Sequence, residues 1–285
     1  MNVFDMNIFV IAVCIADIHA DPASDSEVVT QALMNTSVVA GDVQGAWTRV
    51  TLPDYAGWIR TAELELPIVR GVCEEDEGTC GVPLPYSLLV TVPVVPVYIH
   101  AQGEEKWYDV YLSTALPYID LAHPSRLRVA LPGEREGWIP REYVAMRRND
   151  LLFETQDLRV VTDYARTFLD IPYLWGGTSW RGIDCSGLVQ LCYRMGGNIL
   201  PRDADQQCAA LPQSVEQDAL REGDLLFFGR ESITHVALAL NAHEYIHAEG
   251  QNYHRVLINS LDPHAANYNE RLAALIKEIK RVRDR

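Results

Sequence analysis

Residues 184–197 read DCSGLVQLCYRMGG, and this stretch predicts a helix that begins at a cysteine. Its apolar residues recur at helical spacing and are Leu188, Val189, Leu191, Cys192 and Met195. Two glycines then end the pattern, as glycines commonly do after a helix. A thiol in the first turn of a helix lies at the positive end of the helix dipole. We therefore expect a lowered pKa for the Cys185 thiol and a nucleophilic role for this side chain.

A cysteine nucleophile needs an imidazole that takes up the thiol proton and returns it to the leaving group. His235 opens an apolar run 50 residues after Cys185, and His247 lies in the next such run. Adjacent antiparallel strands can bring two such side chains together. The sequence therefore predicts His235 as the base and His247 as the residue that orients it. We interpret Cys192 and Cys208 as ordinary apolar residues away from the chemistry.

The pattern around these residues predicts an α+β domain in the second half of the chain. Residues 158–169 have a helical period with Asp157 as the N-cap, and the cysteine helix follows. Later apolar runs predict an antiparallel meander of strands at residues 224–228, 235–240, 244–248 and 255–260. The last stretch, residues 270–285, fits either a helix or a final strand.

The first 150 residues predict a different architecture, built of short strands. Runs rich in Val, Ile, Tyr and Trp are broken by Gly, Pro and Asp, which is typical of small barrels. The motif GWI at residues 57–59 recurs at residues 137–139, each time with an apolar run well ahead of it. This weak repeat favours two duplicated barrels, and a single irregular β domain is the alternative.

Length, charge and cysteines narrow the classes of function. The chain has 285 residues, enough for two or three domains, and a net charge of −15. An acidic surface repels phosphate backbones and anionic lipids, so we expect neither nucleic acid nor a membrane surface as a partner. No apolar stretch has the length of a membrane span. The six cysteines have no spacing typical of a metal site, and we expect no metal or organic cofactor.

The first residues and one cysteine pair bear on where the protein acts. Residues 8–16 are apolar, but Asp5 precedes them where a secretory signal carries basic residues. We interpret this run as a first strand and expect a cytoplasmic protein, with a periplasmic or secreted one as the alternative. Cys73 and Cys80 flank an acidic loop and would pair only in an oxidising compartment; otherwise they are reduced thiols.

The second half resembles the NlpC-type cell-wall peptidases, which have a compact papain-like fold. Six motifs over residues 150–285 carry the resemblance: YLWGG at 173–177, DCSGLV at 184–189, LPRDADQ at 200–206, GDLLFF at 223–228, HVAL at 235–238 and IHA at 246–248. The resemblance implies that Cys185 is the nucleophile, His235 its base and His247 the orienting partner. It also implies that Tyr173 borders the oxyanion.

The first half resembles two bacterial SH3-like domains, with the GWI motifs in their late strands. The implied fold is an α+β, papain-like NlpC-type domain preceded by two small all-β SH3-like barrels. The expected domains are residues 1–66, 67–148 and 149–285. Together the resemblances imply a γ-D-glutamyl-L-diamino-acid endopeptidase of muropeptide turnover, which hydrolyses the bond to diaminopimelate. In such enzymes the first SH3-like domain walls the cleft and limits it to peptides with a free N-terminal L-alanine.

A free α-amine is a cation, and an acidic cleft would favour it because a buried charge must be paired. The candidates to hold the amine are Asp184 beside the nucleophile, Ser186, and Asp203 in the adjacent pair with Arg202. Tyr55, just ahead of the first GWI motif, is the candidate from the first barrel.

Two other functions stay open at this point. A secreted hydrolase of intact peptidoglycan would need an export signal, with the SH3-like domains as wall anchors. A non-catalytic muropeptide-binding protein would have lost a catalytic residue, whereas the cysteine and both histidines are present.

Overall fold

The structure is a computed structural model that describes residues 7–68, 85–120 and 123–283. Cys73 and Cys80 lie outside the described residues, so their possible disulfide stays a prediction. The chain divides into two compact units, Met1–Leu152 and Phe153–Arg285. The three-domain boundaries expected at residues 66 and 148 stay predictions. In the described part of the chain, no helix is long and apolar enough to cross a membrane.

The first unit contains two seven-stranded sheets, each formed by consecutive strands. The first sheet consists of β1 (Ile8–Ile11), β2 (Ile15–His19), β3 (Val28–Leu33), β4 (Ser37–Gln44), β5 (Trp47–Thr51), β6 (Ala56–Arg60) and β7 (Leu64–Glu65). The second consists of β8 (Tyr86–Val90), β9 (Val94–Tyr98), β10 (Lys106–Tyr111), β11 (Ala115–Asp120), β12 (Arg126–Leu131), β13 (Arg135–Pro140) and β14 (Val144–Arg148). Residues 8–16, predicted as one strand, form β1 and the start of β2, separated by a bend.

The two sheets have the same topology. Their strands follow the order β3-β2-β6-β5-β4-β1-β7 in the first sheet and β10-β9-β13-β12-β11-β8-β14 in the second. Adding seven to each strand number of the first sheet reproduces the order of the second. The two sheets therefore repeat one topology, as the GWI repeat predicted, and their division into separate domains stays a prediction.

The glycine of each GWI motif is required by a close approach of neighbouring strands. A Cβ atom at Gly57 would lie 2.6 Å from a methyl group of Ile18. At the equivalent place in the second sheet, a Cβ atom at Gly137 would lie 2.5 Å from a methyl group of Val97. A larger residue at either position would displace the neighbouring side chains, which explains why glycine recurs in the motif.

Each barrel has an apolar core, but the two cores are not independent. Ile11, Ile18, Val50 and Ile59 are fully buried in the first. Met34, which follows β3 of the first barrel, is buried in the core of the second. Beside it, the side-chain Nδ2 of Asn35 donates a hydrogen bond of 2.9 Å to the backbone carbonyl of Ala115 in β11.

The second unit has the predicted α+β composition. Its helices are α1 (Leu158–Thr167), α2 (Cys185–Met195), α3 (Ala204–Ala210) and α4 (Glu270–Ala273). A short hairpin consists of β15 (Thr178–Ser179) and β16 (Gly182–Ile183). The main sheet consists of β17 (Gln213–Ser214), β18 (Leu225–Phe228), β19 (His235–Ala239), β20 (Glu244–Glu249), β21 (Arg255–Ser260) and β22 (Ile276–Arg281).

The main sheet contains the predicted meander and holds the cysteine helix. Its strands follow the order β17-β22-β18-β19-β20-β21, and all neighbouring pairs are antiparallel. Helix α2 packs against β19 and β20, and all of its residues except Arg194 are buried. Asp157 caps α1 as predicted, since its side chain accepts a hydrogen bond from the backbone N–H of Arg159. The last stretch forms both elements that were considered, first α4 and then β22.

Candidate active site

Cys185 is the first residue of α2, in the position that the sequence predicted. Asp184 is the N-cap of this helix, and its Oδ1 accepts a hydrogen bond of 2.7 Å from the backbone N–H of Gly187. The Cys185 side chain is buried, with 8% of the residue exposed. The backbone N–H groups of Val236 and Ser186 form hydrogen bonds with its sulfur. The sulfur therefore lies against the start of β19, at the residue that follows His235 in the chain.

The expected lowering of the thiol pKa is wrong for this state of the protein. Burial raises the pKa of the Cys185 thiol to about 12, and the negative charge of Asp184 adds to the rise. The hydrogen bonds to its sulfur and the positive charge of Arg202 act in the opposite direction but are weaker. A buried thiolate loses more hydration than a helix dipole returns. Burial thus disfavours a free thiolate, so attack by the sulfur has to be coupled to removal of the thiol proton.

His235 and His247 form the pair that the sequence predicted. The Nε2 atom of His235 lies 2.9 Å from the Nδ1 atom of His247, within hydrogen-bond distance. In the register of β19 and β20, Leu238 pairs with Ile246, so His247 lies diagonally across from His235 on the same face. His247 is fully buried, whereas His235 is half-buried.

Burial keeps both imidazoles neutral. It lowers the pKa of His235 well below the ordinary value, and the neighbouring His247 and Arg271 lower it further. It also lowers the pKa of His247 to about 4, although a hydrogen bond to Asn259 opposes this shift. A neutral imidazole can accept a proton from the thiol, which is the role expected of His235.

Asn259 extends this pair and was not predicted. Its Oδ1 lies 3.0 Å from the Nε2 atom of His247, and the asparagine is buried in β21. Across the next strand pair, His247 lies opposite Leu257, so Asn259 is again the diagonal neighbour. The three residues stand at a constant interval of 12, at positions 235, 247 and 259. The sequence signal that could have identified Asn259 was a polar residue 12 positions after His247, within a run of apolar residues.

Three residues expected to bind the substrate bind one another. Arg202 is 1% exposed, and its guanidinium forms an ion pair with both carboxylate oxygens of Asp184, at 3.0 Å for Nη1 and Oδ1. Nη1 of Arg202 also donates a hydrogen bond of 2.8 Å to Oγ of Ser186. The second carboxylate oxygen of Asp184 accepts from the backbone N–H of Gly176 at 3.0 Å.

These contacts give Asp184 and Arg202 a structural role, and their part in substrate binding stays a prediction. The carboxylate is not an uncompensated charge waiting for an amine, because a buried guanidinium already neutralises it. A carboxylate has about four acceptor sites, and the contacts of Asp184 fill them. The ion pair instead connects the N-terminus of α2 to the loop at residue 176 and to the segment ahead of α3. The ion pair thereby holds the N-terminus of α2, where Cys185 lies.

Removing the buried guanidinium is expected to destabilise the protein strongly. Arg202→Met should lower the free energy of unfolding by about 3–5 kcal/mol, because Asp184 would remain buried without its partner. Denaturant unfolding measures this loss. The exposed ion pair between Arg255 and Asp170, at 3.2 Å, offers a matched control. Arg255→Met should cost about 1 kcal/mol or less. Equal losses in the two variants would show that the buried pair does not support the fold.

The remaining predicted residues lie in separate places. Tyr173 is half-buried near Cys185, and its phenol pKa is raised chiefly by burial and then by the cysteine. Asp203 is the N-cap position of α3, and its Oδ2 accepts a hydrogen bond of 2.9 Å from the side chain of Gln206. Tyr55 belongs to the first unit, where it is half-buried between β5 and β6. Cys192 is fully buried in α2 and Cys208 half-buried in α3, consistent with their predicted packing roles.

Comparison with known proteins assigns the fold to a family. The model of the NlpC/P60 family matches residues 170–273, and that of the bacterial dipeptidyl-peptidase Sh3 domain matches residues 18–64. A probable endopeptidase NlpC of Escherichia coli (strain K12) is 34% identical over 107 residues, which cover 36% of this chain and 67% of that protein. The chain belongs to the NlpC/P60 family.

Two further NlpC/P60 comparisons extend over most of the chain. The gamma-D-glutamyl-L-lysine dipeptidyl-peptidase of Bacillus cereus (strain ATCC 10987 / NRS 248) is 29% identical over 232 residues. The match covers 77% of this chain and 66% of that protein. A crystal structure of an NlpC/P60 family protein from Bacillus cereus ATCC 10987 has a TM-score of 0.80 and 24% identity, over 96% of this chain and 99% of that chain. This similarity shows that the fold is shared.

Among the residues that the structure describes, no group of three or more His, Cys, Asp or Glu side chains is arranged to hold a metal ion.

Proposed function

We propose that this NlpC/P60 protein is a cysteine endopeptidase of peptidoglycan-derived peptides. The bond cleaved would join γ-D-glutamate to the diamino acid, diaminopimelate in our expectation. The observation that carries the proposal is the hydrogen-bonded pair of His235 and His247 at the strand that contacts the Cys185 sulfur. The name of the Bacillus cereus relative, a gamma-D-glutamyl-L-lysine dipeptidyl-peptidase, supports the class of bond.

The proposed reaction is acyl transfer in two steps. His235 takes the proton of the Cys185 thiol as the sulfur attacks the γ-carbonyl carbon of D-glutamate. The carbon–nitrogen bond then breaks, His235 gives the proton to the departing amine, and a thioester remains. Water, deprotonated by His235, attacks the thioester and releases the glutamate carboxylate. The proton returns to the sulfur, so every atom is accounted for without a cofactor.

The negative charge that develops on the carbonyl oxygen needs hydrogen-bond donors. The backbone N–H of Cys185 belongs to the first turn of α2, where N–H groups have no partner within the helix. We propose this group as one donor and the hydroxyl of Tyr173 as the second. Burial raises the pKa of Tyr173, so the phenol keeps its proton and can donate it.

We also propose that the substrate carries a free N-terminal amine. Asp203, half-buried at the start of α3, is the first candidate to bind it in the catalytic unit, because Asp184 and Ser186 are already bonded to Arg202. A blocked amine would leave a carboxylate desolvated without a partner, which costs binding energy.

Mass spectrometry of the products tests the proposed function. The full-length protein is incubated with L-Ala-γ-D-Glu-diaminopimelate, with the lysine analogue, and with the N-acetylated form of each. We expect L-Ala-D-Glu and the free diamino acid from the unblocked peptides, and much less product from the acetylated ones. Cleavage at another bond, or none, would overturn the proposal. Equal rates with acetylated peptides would retain the peptidase and reject the amine requirement.

Tyr55 tests whether the first barrel takes part in selecting the substrate. Tyr55→Ala in the full chain should raise KM for the unblocked peptide about 10-fold, with a smaller change in kcat, if it contributes ordinary binding energy. Tyr86→Ala, at an exposed position of the second barrel, is the matched control and should leave KM as in the wild type. A KM unchanged in both variants would remove Tyr55 from the binding site.

A further inference from the structure

Two asparagines continue the histidine pair on the side away from Cys185. The Oδ1 atom of Asn259 faces Nε2 of His247 at 3.0 Å and also accepts a hydrogen bond of 3.1 Å from Nδ2 of Asn269. Asn259 donates in turn from its own Nδ2 to the backbone carbonyl of Asn267, at 2.9 Å. Asn269 is the N-cap of α4, where its Oδ1 accepts from the backbone N–H of Leu272 at 3.1 Å.

The orientation of both amides is determined by backbone groups whose roles cannot change. A backbone carbonyl only accepts, so the group of Asn259 that faces Asn267 must be its NH₂. A backbone N–H only donates, so the group of Asn269 that faces Leu272 must be its oxygen. The two assignments agree, because they leave the NH₂ of Asn269 pointing at the oxygen of Asn259. Rotating either amide would place two donors or two acceptors against each other.

This orientation dictates the protons of the two histidines in turn. The oxygen of Asn259 can only accept, so Nε2 of His247 carries a hydrogen. Burial keeps His247 neutral, so its Nδ1 has a lone pair and accepts from Nε2–H of His235. His235 is neutral for the same reason, and its single hydrogen is thereby placed on Nε2. Its Nδ1 is left as a lone pair.

The tautomer decides whether His235 can work as a base. A lone pair on Nδ1 can take the thiol proton, whereas Nδ1–H could not. The opposite tautomer of both rings would satisfy the His235–His247 hydrogen bond equally well, since the two rings can exchange donor and acceptor together. The histidine pair alone therefore does not choose between an active and an inactive arrangement.

We infer that Asn259 and Asn269 are positioning residues that impose the active tautomer on His235 through His247. This inference rests on the proposed function, because it assigns a task only if His235 is the base. Neither asparagine contacts the nucleophile in the inferred arrangement. They act by presenting one acceptor oxygen, held in place from two sides, to the far nitrogen of His247.

Two substitutions at position 259 test the inference in the full-length protein. Asn259→Asp keeps an acceptor for His247, and the carbonyl of Asn267 still accepts from the backbone N–H of Ser260. This variant should retain kcat within about 10-fold of the wild type. Asn259→Leu has a similar size but no acceptor, and kcat should fall about 10²-fold or more while KM changes little. If the aspartate variant fails as completely as the leucine variant, the acceptor is not what matters.

Position 269 provides a second pair of variants for the case that the leucine variant does not fold. Asparagine, aspartate and serine cap helices about equally well, so Asn269→Asp and Asn269→Ser should both preserve α4. The aspartate variant places an anionic oxygen against Oδ1 of Asn259. Repulsion between these two oxygens should outweigh the hydrogen bond from Asn259 to the carbonyl of Asn267, so the amide should turn and present its NH₂ to His247. Both rings would then switch, and kcat should fall about 10³-fold or more. The serine variant should lose much less.

Nitrogen-15 NMR of histidine reports which ring nitrogens carry hydrogen, and it needs no substrate. We expect hydrogen on Nε2 of both histidines in the wild type and on Nδ1 in Asn269→Asp. The matched control is Asn241→Asp, a turn residue that accepts backbone hydrogen bonds beside β20 and does not contact the histidines. Its tautomers and kcat should equal those of the wild type. If Asn269→Asp kept both the wild-type tautomers and full activity, the inference would be overturned. If the wild-type protein had hydrogen on Nε2 of both histidines but no peptidase activity, only the proposed function would be overturned.

Discussion

Cys185→Ala is expected to abolish peptide hydrolysis while leaving the fold intact. The sulfur is the nucleophile of the proposed reaction, and the thioester cannot form at this position without it. Loss of a nucleophile that acts as a unit with its base typically costs about 10⁴-fold or more in kcat. Cys185→Ser should be nearly as inactive, because the proton of a hydroxyl is harder to remove than that of a thiol. Product formation, followed by mass spectrometry, measures the loss.

The other cysteines of the catalytic unit provide the controls for this result. Cys208→Ala, at a half-buried position of α3, should keep most of the activity. Cys192→Ala removes a buried side chain of α2 and should lower stability before it lowers kcat. Circular dichroism establishes that each variant is folded. A Cys185→Ala protein that cleaved near the wild-type rate would exclude this residue as the nucleophile and the proposed mechanism with it.

His235→Ala should be about as inactive as Cys185→Ala, and the double variant should be no worse than either. Base and nucleophile act in the same step, so their effects do not add. His247→Ala should retain more activity, with kcat reduced about 10²-fold, because this residue orients the base and does not receive the thiol proton. The order of these effects is tested by measuring kcat on the unblocked peptide for the three single variants and the double variant.

An exposed histidine nearby serves as the matched control for these substitutions. His243 stands in the turn ahead of β20, and only its backbone takes part in the hydrogen bonds of the turn. His243→Ala should therefore retain wild-type kcat. If His247→Ala retained wild-type kcat as well, another residue would orient His235, and the role assigned to His247 would be wrong.

The elements that position the site could be predicted because local and long-range signals agree there. Helix α2 begins and ends at the expected residues, since its apolar face and the two glycines that follow indicate the same bounds. The strands of the meander follow from short apolar runs of regular spacing. Helix α3 was not predicted because its only buried residue is Gln207, so it has no apolar period to detect.

The electrostatics of the site could not be predicted in the same way. The effect of the helix dipole on Cys185 was visible in the sequence, but the burial that outweighs it depends on how α2 packs against the sheet. The partner of Asp184 is Arg202, not an amine, because α3 and the loop before it fold back over the start of α2. Such pairings between segments 18 residues apart have no local signature.

Met34 has a consequence for how the first unit unfolds. Its side chain belongs to the core of a barrel that its own strands do not form. Melting the first barrel would withdraw this side chain and leave a cavity in the second, which lowers the stability of the second barrel by a few kcal/mol, on the order of the cost of a buried methionine. The two repeats are thus thermodynamically coupled, and the unit should melt cooperatively. The two sheets share one topology, but they are not interchangeable modules.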